Sequence, residues 1–358
     1  MKNLEKYISL LQDNPDVDGL LLTSRYSRMY GAEFDIAEGV AIVTAKGCRY
    51  FTDSRYIESA QNNIQGFAVL EMNRANPYSK LLNDAIADFD VKVLGYEEIY
   101  LTAAELSSYE QKLNAKLVPY NEKIYGFRAV KEDWELARMR KAQEITDIAF
   151  SEMLTKIKPG LTEKQLQAEL VYSLLKNGAD GMAFEPIVIS GPNTSMPHGV
   201  PGERIVQAGD FVTMDFGALY QGYCADMTRT VAVGYATEEM EKVYNTVLEA
   251  QKAAIEMTKP GITGREIDAV ARDIITDAGY GPYFGHGYGH CLGMECHEAP
   301  NCNPGGTTVM EIGMISSAEP GIYLPGKFGV RIEDVVIFTE GGCENITKSP
   351  KNLIILSV

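Results

Sequence analysis

Gly209-Asp-Phe-Val-Thr-Met-Asp215-Phe-Gly217 and Gly313-Met-Ile-Ser-Ser-Ala-Glu319-Pro-Gly321 are two writings of one pattern. In each, an acid lies six residues after the first Gly. Each copy runs on to a second Gly with an acid four residues later, Gly222 with Asp226 and Gly329 with Glu333. Each closes on a further Gly eight residues on, Gly234 and Gly341. Upstream, Lys158-Pro159-Gly160-Leu161-Thr162 recurs as Lys259-Pro260-Gly261-Ile262-Thr263. In both copies the Thr can cap a following helix, and Gln165 completes a capping box in the first. His198 follows Pro159 by 39 residues and His297 follows Pro260 by 37, so the two histidines fit as symmetry mates. Turn, helix, His, acid and acid in the same order indicate an internal duplication. Two such units about a pseudo-twofold axis bring Asp215, Asp226, Glu319 and Glu333 together. Four buried carboxylates cannot all stay ionised without cations. A two-metal centre is the simplest account.

The rest of the chain sets limits. Its 358 residues exceed what one core usually supports, which predicts two domains. A formal net charge of -16 argues against nucleic acid or an anionic membrane as partner, since both need basic surface. The six Cys include no C-x-x-C pair and show no disulfide or zinc spacing. The N-terminus lacks an apolar signal core, and no apolar run approaches the roughly 18 residues of a membrane span. These features predict a cytoplasmic protein.

Residues 1–127 read as an α/β domain of alternating strands and helices. Strands are expected at Gly19–Leu22, Val40–Thr44, Arg49–Thr52, Phe67–Glu71 and Val91–Leu94, and helices near 3–12, 54–63, 77–87 and 102–115. This part contains no histidine and no catalytic motif, which suits assembly or shaping of a pocket rim. The second domain, 128–358, opens on a long helix with Trp134, Met139, Ala142, Ile145, Ala149 and Met153 on one stripe. Phe211–Phe216 is apolar around Asp215, as in a strand buried on both faces. Period two within one strand places Arg331 and Glu333 on one face and Asp334 on the other. By the same rule Cys224, Asp226 and Thr228 share a face. Tyr223 and Tyr323 read as packing residues.

Three of the four His fall within Phe284-Gly-His286-Gly-Tyr-Gly-His290-Cys-Leu-Gly-Met-Glu-Cys-His297-Glu-Ala-Pro300. No Gly-Lys-Ser/Thr follows, so this is not a phosphate loop; the glycines let the backbone turn tightly.

These motifs resemble the metallopeptidase family with the pita-bread fold. The resemblance rests on His198 in Met-Pro-His-Gly, Asp215 in Met-Asp-Phe-Gly and Asp226 in Ala-Asp-Met-Thr-Arg-Thr. It continues with His290 in Gly-His-Cys-Leu-Gly, His297 in His-Glu-Ala-Pro, Glu319 in Ala-Glu-Pro-Gly-Ile-Tyr and Glu333 in Val-Arg-Ile-Glu-Asp. The family includes methionine aminopeptidase, prolidase, aminopeptidase P and creatinase. The likeness covers the whole chain, and the N-terminal domain resembles the creatinase/prolidase type. It implies an α+β chain with a pseudo-twofold pita-bread catalytic domain behind a smaller α/β domain.

The resemblance also implies two divalent ions, by analogy Mn²⁺, with Co²⁺ or Fe²⁺ as alternatives, an oxygen-rich ligand set being suited to them. Their ligands would be Asp215, Asp226, His290, Glu319 and Glu333, with Asp226 and Glu333 bridging. Glu319 would also shuttle protons, and His297 would donate to the oxyanion. His198 and His286 would line the proline side, although His286 could equally brace its Gly loop. Arg331 would orient Glu333, bind substrate or serve as a structural charge partner. The implied activity is cleavage between an N-terminal residue and a following proline. The short chain looks like bacterial aminopeptidase P, with Xaa-Pro dipeptidase (prolidase) as the alternative. A metal-free creatinase-like hydrolase and a non-catalytic peptide-binding homologue are further readings. The family commonly forms homodimers. Two departures stand out: Cys291 where the family has Gly after the metal His, and Ser316-Ser317 before Glu319.

Overall fold

The computed structural model describes residues 3–358, and the chain divides into two compact units, Met1–Arg128 and Ala129–Val358. The first unit is built on a six-stranded sheet in the order Ala68–Met72, Gly47–Asp53, Val40–Thr44, Gly19–Leu22, Val93–Tyr96, Lys116–Pro119. The meander Gly19–Leu22, Val40–Thr44, Gly47–Asp53 is antiparallel and the remaining pairings are parallel. Leu21, Val40, Ile42 and Phe51 pack with Leu82, Ala85 and Ile86 of the helix Tyr78–Asp88 in one core. The expected elements are present, and two helices and the strand Lys116–Pro119 join them. Of these, the helix Arg25–Ala32 has a Tyr/Ser/Arg sequence with little intrinsic helical preference. Its stability is tertiary: the Ser24 hydroxyl caps Ser27 N–H and donates to buried Glu97, and Arg28 donates to Tyr50 and to the Ile36 carbonyl.

The second unit carries the duplication. The helices Glu163–Lys176 and Gly264–Asp277 start alike, with capping boxes of Thr162 with Gln165 and Thr263 with Glu266. Each capping Thr also bridges to a later strand-like residue, Thr162 to Ile205 and Thr263 to Val309. The strands Ile187–Ser190, Phe211–Phe216 and Met227–Val233 lie side by side, all antiparallel. Gly289–Cys291, Ile315–Ala318 and Asp334–Thr339 repeat that arrangement. The glycines that open and close each copy match in backbone conformation: φ is 88° at Gly209 and 85° at Gly313, 79° at Gly234 and 77° at Gly341, whereas Gly329 lacks the positive φ of Gly222, 80°. Gly217 is required for a different reason. A Cβ there would lie 1.7 Å from the Ala225 carbonyl oxygen, so only Gly lets the chain before Asp226 pass this close.

Each half has its own core. Ala142, Ile145, Ala149, Phe150 and Met153 of the long helix Asp133–Met153 pack on Leu166, Leu170 and the strand residues Val212 and Met214. Val243, Val247, Ile267 and Ala271 do the same in the second half. Trp134 departs from the expected buried stripe. It is half-buried, edge-on to Tyr223 and covered by Arg138.

The expected single strand through Arg331 and Asp334 is divided. Phe328–Arg331 pairs with Gly321–Leu324, and Asp334–Thr339 belongs to the five-stranded sheet. Between them the Glu333 N–H leaves the ladder and donates to the Thr228 carbonyl, 3.0 Å away. No helix among the described residues is long and apolar enough to cross a membrane.

Beside this architecture lies a buried ion pair, Lys131 Nζ to Glu298 Oε2 at 3.0 Å, with both side chains about 1% exposed. The other Glu298 oxygen accepts the N–H groups of Met294 and Glu295, fixing the turn before His297. Removing one partner of such a pair costs about 3–5 kcal/mol. Lys131→Met is therefore expected to lower the Tm of the second unit by roughly 10 °C in calorimetry. Lys131→Met/Glu298→Gln, which removes both charges and keeps an oxygen for the Met294 and Glu295 N–H groups, should recover most of that loss.

Candidate active site

All nine residues singled out in the sequence line one cleft of about 420 Å³: His198, Asp215, Asp226, His286, His290, His297, Glu319, Arg331 and Glu333. Phe184, Glu185, Ile187, Cys296, Asn301 and Asn303 are among its other lining residues. The two halves contribute equivalent points. Asp215 is the penultimate residue of the strand Phe211–Phe216, and Glu319 directly follows Ile315–Ala318. Asp226 lies just before Met227–Val233, and Glu333 just before Asp334–Thr339. His198 and His297 are exposed at the cleft, while His290, Asp226 and Glu333 are buried.

Ligating atoms of Asp226, His290 and Glu333 all lie within 4.8 Å of one another. His290 Nε2 is 3.3 Å from Glu319 Oε1 and 3.7 Å from Asp226 Oδ2. Its Nδ1 lies 3.1 Å from the Cys291 carbonyl, to which only an N–H can donate. That tautomer turns the Nε2 lone pair toward two carboxylates, an arrangement that needs a cation or a proton between them. Asp226 Oδ1 is buried without a hydrogen-bond partner. Both observations fit a divalent metal held by these groups.

The acid–base balance says the same. Burial, with Asp215 beside it, pushes the Asp226 carboxyl up to about 8. Burial and the neighbouring Asp226, Glu319 and Asp215 hold Glu333 well above the carboxylate range. Burial also raises Asp215, against the pull of Arg331. At Glu319 burial is outweighed by the His290 hydrogen bond and by the charges of His290, His286 and Arg331, which bring it down to about 2. Burial at His290 is outweighed in turn by Glu319 and Asp226, giving about 9. The cleft holds more acid than its own cations neutralise, and bound metal relieves this.

A second layer orients these groups. Thr228 Oγ1 donates to Glu333 Oε2 at 2.6 Å and accepts from Arg331 Nε at 2.9 Å. Ser317 Oγ accepts the His290 N–H and donates to Glu319 Oε1, both at 3.0 Å. Arg331 pairs through Nη2 with Asp215 and through Nη1 with the Tyr323 hydroxyl, 2.8 Å away. It reaches Glu333 only through Thr228, so its direct charge partner is Asp215 rather than Glu333.

Tyr323 is not the packing residue that the sequence suggested. His286 Nδ1 donates to the Gly287 carbonyl at 2.8 Å, so its Nε2 accepts from the Tyr323 hydroxyl at 2.9 Å. Both nitrogens of His286 are therefore engaged within the protein, and burial keeps its pKa low. Tyr223 donates to Glu135, away from the cleft. Asp334, as expected, turns away from the cleft and pairs with Arg229 and Lys351.

Of the two departures, Cys291 is fully buried at a register shift in its strand and does not line the cleft. Ser317 supplies the hydroxyl between His290 and Glu319. Cys296 does line the cleft, with Sγ 3.2 Å from Asp226 Oδ2. Thr228 had one sequence signal, its place on the Asp226 face. Tyr323 had none, since its partners come from distant segments.

Residues 137–340 match metallopeptidase family M24, and residues 4–130 match the creatinase/prolidase N-terminal domain. A solved structure described as Xaa-Pro dipeptidase from Bacillus anthracis is 42% identical, with a TM-score of 0.95 over 99% of each chain. The Xaa-Pro dipeptidase of Pyrococcus horikoshii is 35% identical over 99% of both chains. An X-Pro aminopeptidase structure from Thermotoga maritima is 34% identical, with a TM-score of 0.93 over 99% of this chain and 100% of that one. With a paired-half fold, a cleft rich in carboxylates and these full-length likenesses, the chain belongs to metallopeptidase family M24 and is a hydrolase.

Proposed function

We propose that this protein is an Xaa-Pro dipeptidase, hydrolysing dipeptides with proline in second position. The observation that carries this reading is the end-to-end likeness to proteins named Xaa-Pro dipeptidase at 35–42% identity. It replaces the aminopeptidase P preference drawn from chain length and loop sequence. The Thermotoga likeness keeps the aminopeptidase as the competing reading.

Asp215, Asp226, His290, Glu319 and Glu333 would hold two divalent ions, Mn²⁺ being the first choice, with Co²⁺ or Fe²⁺ also suited to this donor set. Bound there, such ions supply a water activated at neutral pH and polarisation of the scissile carbonyl. The chain's own groups do the rest. Glu319 takes a proton from the attacking water and returns it to the proline nitrogen, which leaves as a secondary amine. Its Oε1 is held by Ser317, which leaves Oε2 to carry that proton. His297 is exposed at the cleft and its ring lies 4.2 Å from that of His290, a position suited to donating to the developing oxyanion. Partial burial of its ring in the cleft wall and the His290 beside it lower the His297 pKa, so the neutral imidazole is the donor. Arg331 holds Asp215 in place, and Tyr323 keeps His286 in one tautomer facing the cleft. His198 and His286 flank the space for the proline ring. Six cysteines with neither disulfide nor zinc spacing suit a reducing, cytoplasmic setting.

Three outcomes are expected. After chelation and reloading with Mn²⁺, chromatography should show Ala-Pro cleaved much faster than Ala-Pro-Ala. A preference for the tripeptide would return the reading to aminopeptidase P. Asp226→Ala should abolish turnover and reduce bound metal below two ions per chain in elemental analysis; full occupancy would remove its bridging role. His297→Ala should lower kcat by roughly 10²–10³, whereas a change confined to KM would make His297 a binding residue.

A further inference from the structure

Three residues beyond Asp226, the strand Met227–Val233 buries an arginine, Arg229, to 1% exposure. All five of its N–H donors are used. Nε donates to the Pro350 carbonyl at 3.0 Å, and Nη2 to Ser349 O at 2.8 Å and Asp334 Oδ1 at 2.7 Å. Nη1 donates to the carbonyls of Thr228, at 3.0 Å, and of Glu333. Asp334 is in turn held by Asn345 Nδ2 at 2.6 Å and by Lys351.

Arg229 contributes to stability, since without it four backbone carbonyls lose a donor. Its position is more telling. Asp226 and Glu333 come from different halves of the unit, and their backbones meet where the Glu333 N–H donates to Thr228 O. Thr228 Oγ1 closes the same seam from the cleft side by donating to Glu333 Oε2. Arg229 closes it from behind, gripping the carbonyl of each seam residue with one nitrogen. The adjacent acids Glu333 and Asp334 face opposite ways, one into the cleft and one onto Arg229.

We propose that Arg229 is a positioning residue of the metal centre: it fixes the spacing of Asp226 and Glu333 across the seam and so sets how tightly the site holds divalent cations. This rests on reading those two carboxylates as metal ligands. Groups one layer behind metal ligands typically change affinity by about 10–100-fold when removed.

The test is calorimetric titration of metal-stripped full-length protein with Mn²⁺, repeated with Co²⁺, at 25 °C. Arg229→Met/Asp334→Leu removes both charges together, so neither is left buried and unpaired. Arg229→Lys keeps the charge but lacks the fork that spans both carbonyls. Folding is checked by circular dichroism and gel filtration. Folded variants should bind Mn²⁺ about 10–100-fold more weakly than wild type, with the lysine variant at the smaller end. A folded variant binding within twofold of wild type overturns the proposal. If the double variant does not fold, Arg229→Lys decides. Loss of fold in both would assign Arg229 to stability alone and also overturn it. A wild-type protein that binds neither ion would instead refute the metal reading, and Asp226→Ala would then leave the titration unchanged.

Discussion

Negative charge confined to a small buried volume is the constraint on which this protein turns. Asp215, Asp226, Glu319 and Glu333 converge on one cleft with a single permanent cation, Arg331, among its lining residues. Arg331 is fully committed to Asp215, Thr228, Tyr323 and the Pro197 carbonyl. Left to themselves, Asp226 and Glu333 retain protons far above the usual carboxylate range because burial and mutual repulsion disfavour the charged forms. Folding to such a cleft makes sense for a protein that takes up cations, and family M24 is a metallopeptidase family.

Duplication is how the chain delivers those charges. One half can present two acids at the ends of neighbouring strands but cannot enclose a site with them. A second copy, rotated to face the first, doubles the acids and closes the cleft. Each half has its own hydrophobic cluster and its own capped helix, and the site lies at the seam between them. The polar layer at that seam, Thr228, Ser317, Arg331 and Tyr323, joins side chains from both halves and restricts each to one hydrogen-bonding role. His286 shows the effect, since two fixed partners leave its imidazole a single tautomer.

Much of this was legible in the residues. Spacing alone paired Asp215 with Glu319 and Asp226 with Glu333, and the glycines that open and close each copy share their backbone angles. Periodicity correctly sent Asp334 away from the cleft, although the strand it assumed is broken at Ile332–Glu333. The break was not legible because it follows from a long-range bond, Glu333 N–H to Thr228 O, that diverts the chain from one sheet to another. The charge partner of Arg331 was not legible for a similar reason: strand period placed it beside Glu333 and left its role open, while the side chain crosses to Asp215 in the other half. The helix Arg25–Ala32 escaped notice because its stability comes from Glu97 and Tyr50 rather than from its own propensities.

By itself the sequence determined the duplication, the division of the chain into two units and the inventory of acids and histidines in the cleft. Those properties are local: they depend on residue type, on short spacings and on strand and helix periods that act within a few residues. Only the tertiary structure decided the pairing of each charge, the tautomers of His286 and His290, the role of Tyr323 and the clamp that Arg229 forms across the seam. These depend on groups up to more than a hundred residues apart being held within hydrogen-bonding distance, and directional bonds at about 3 Å are fixed by packing rather than by sequence order.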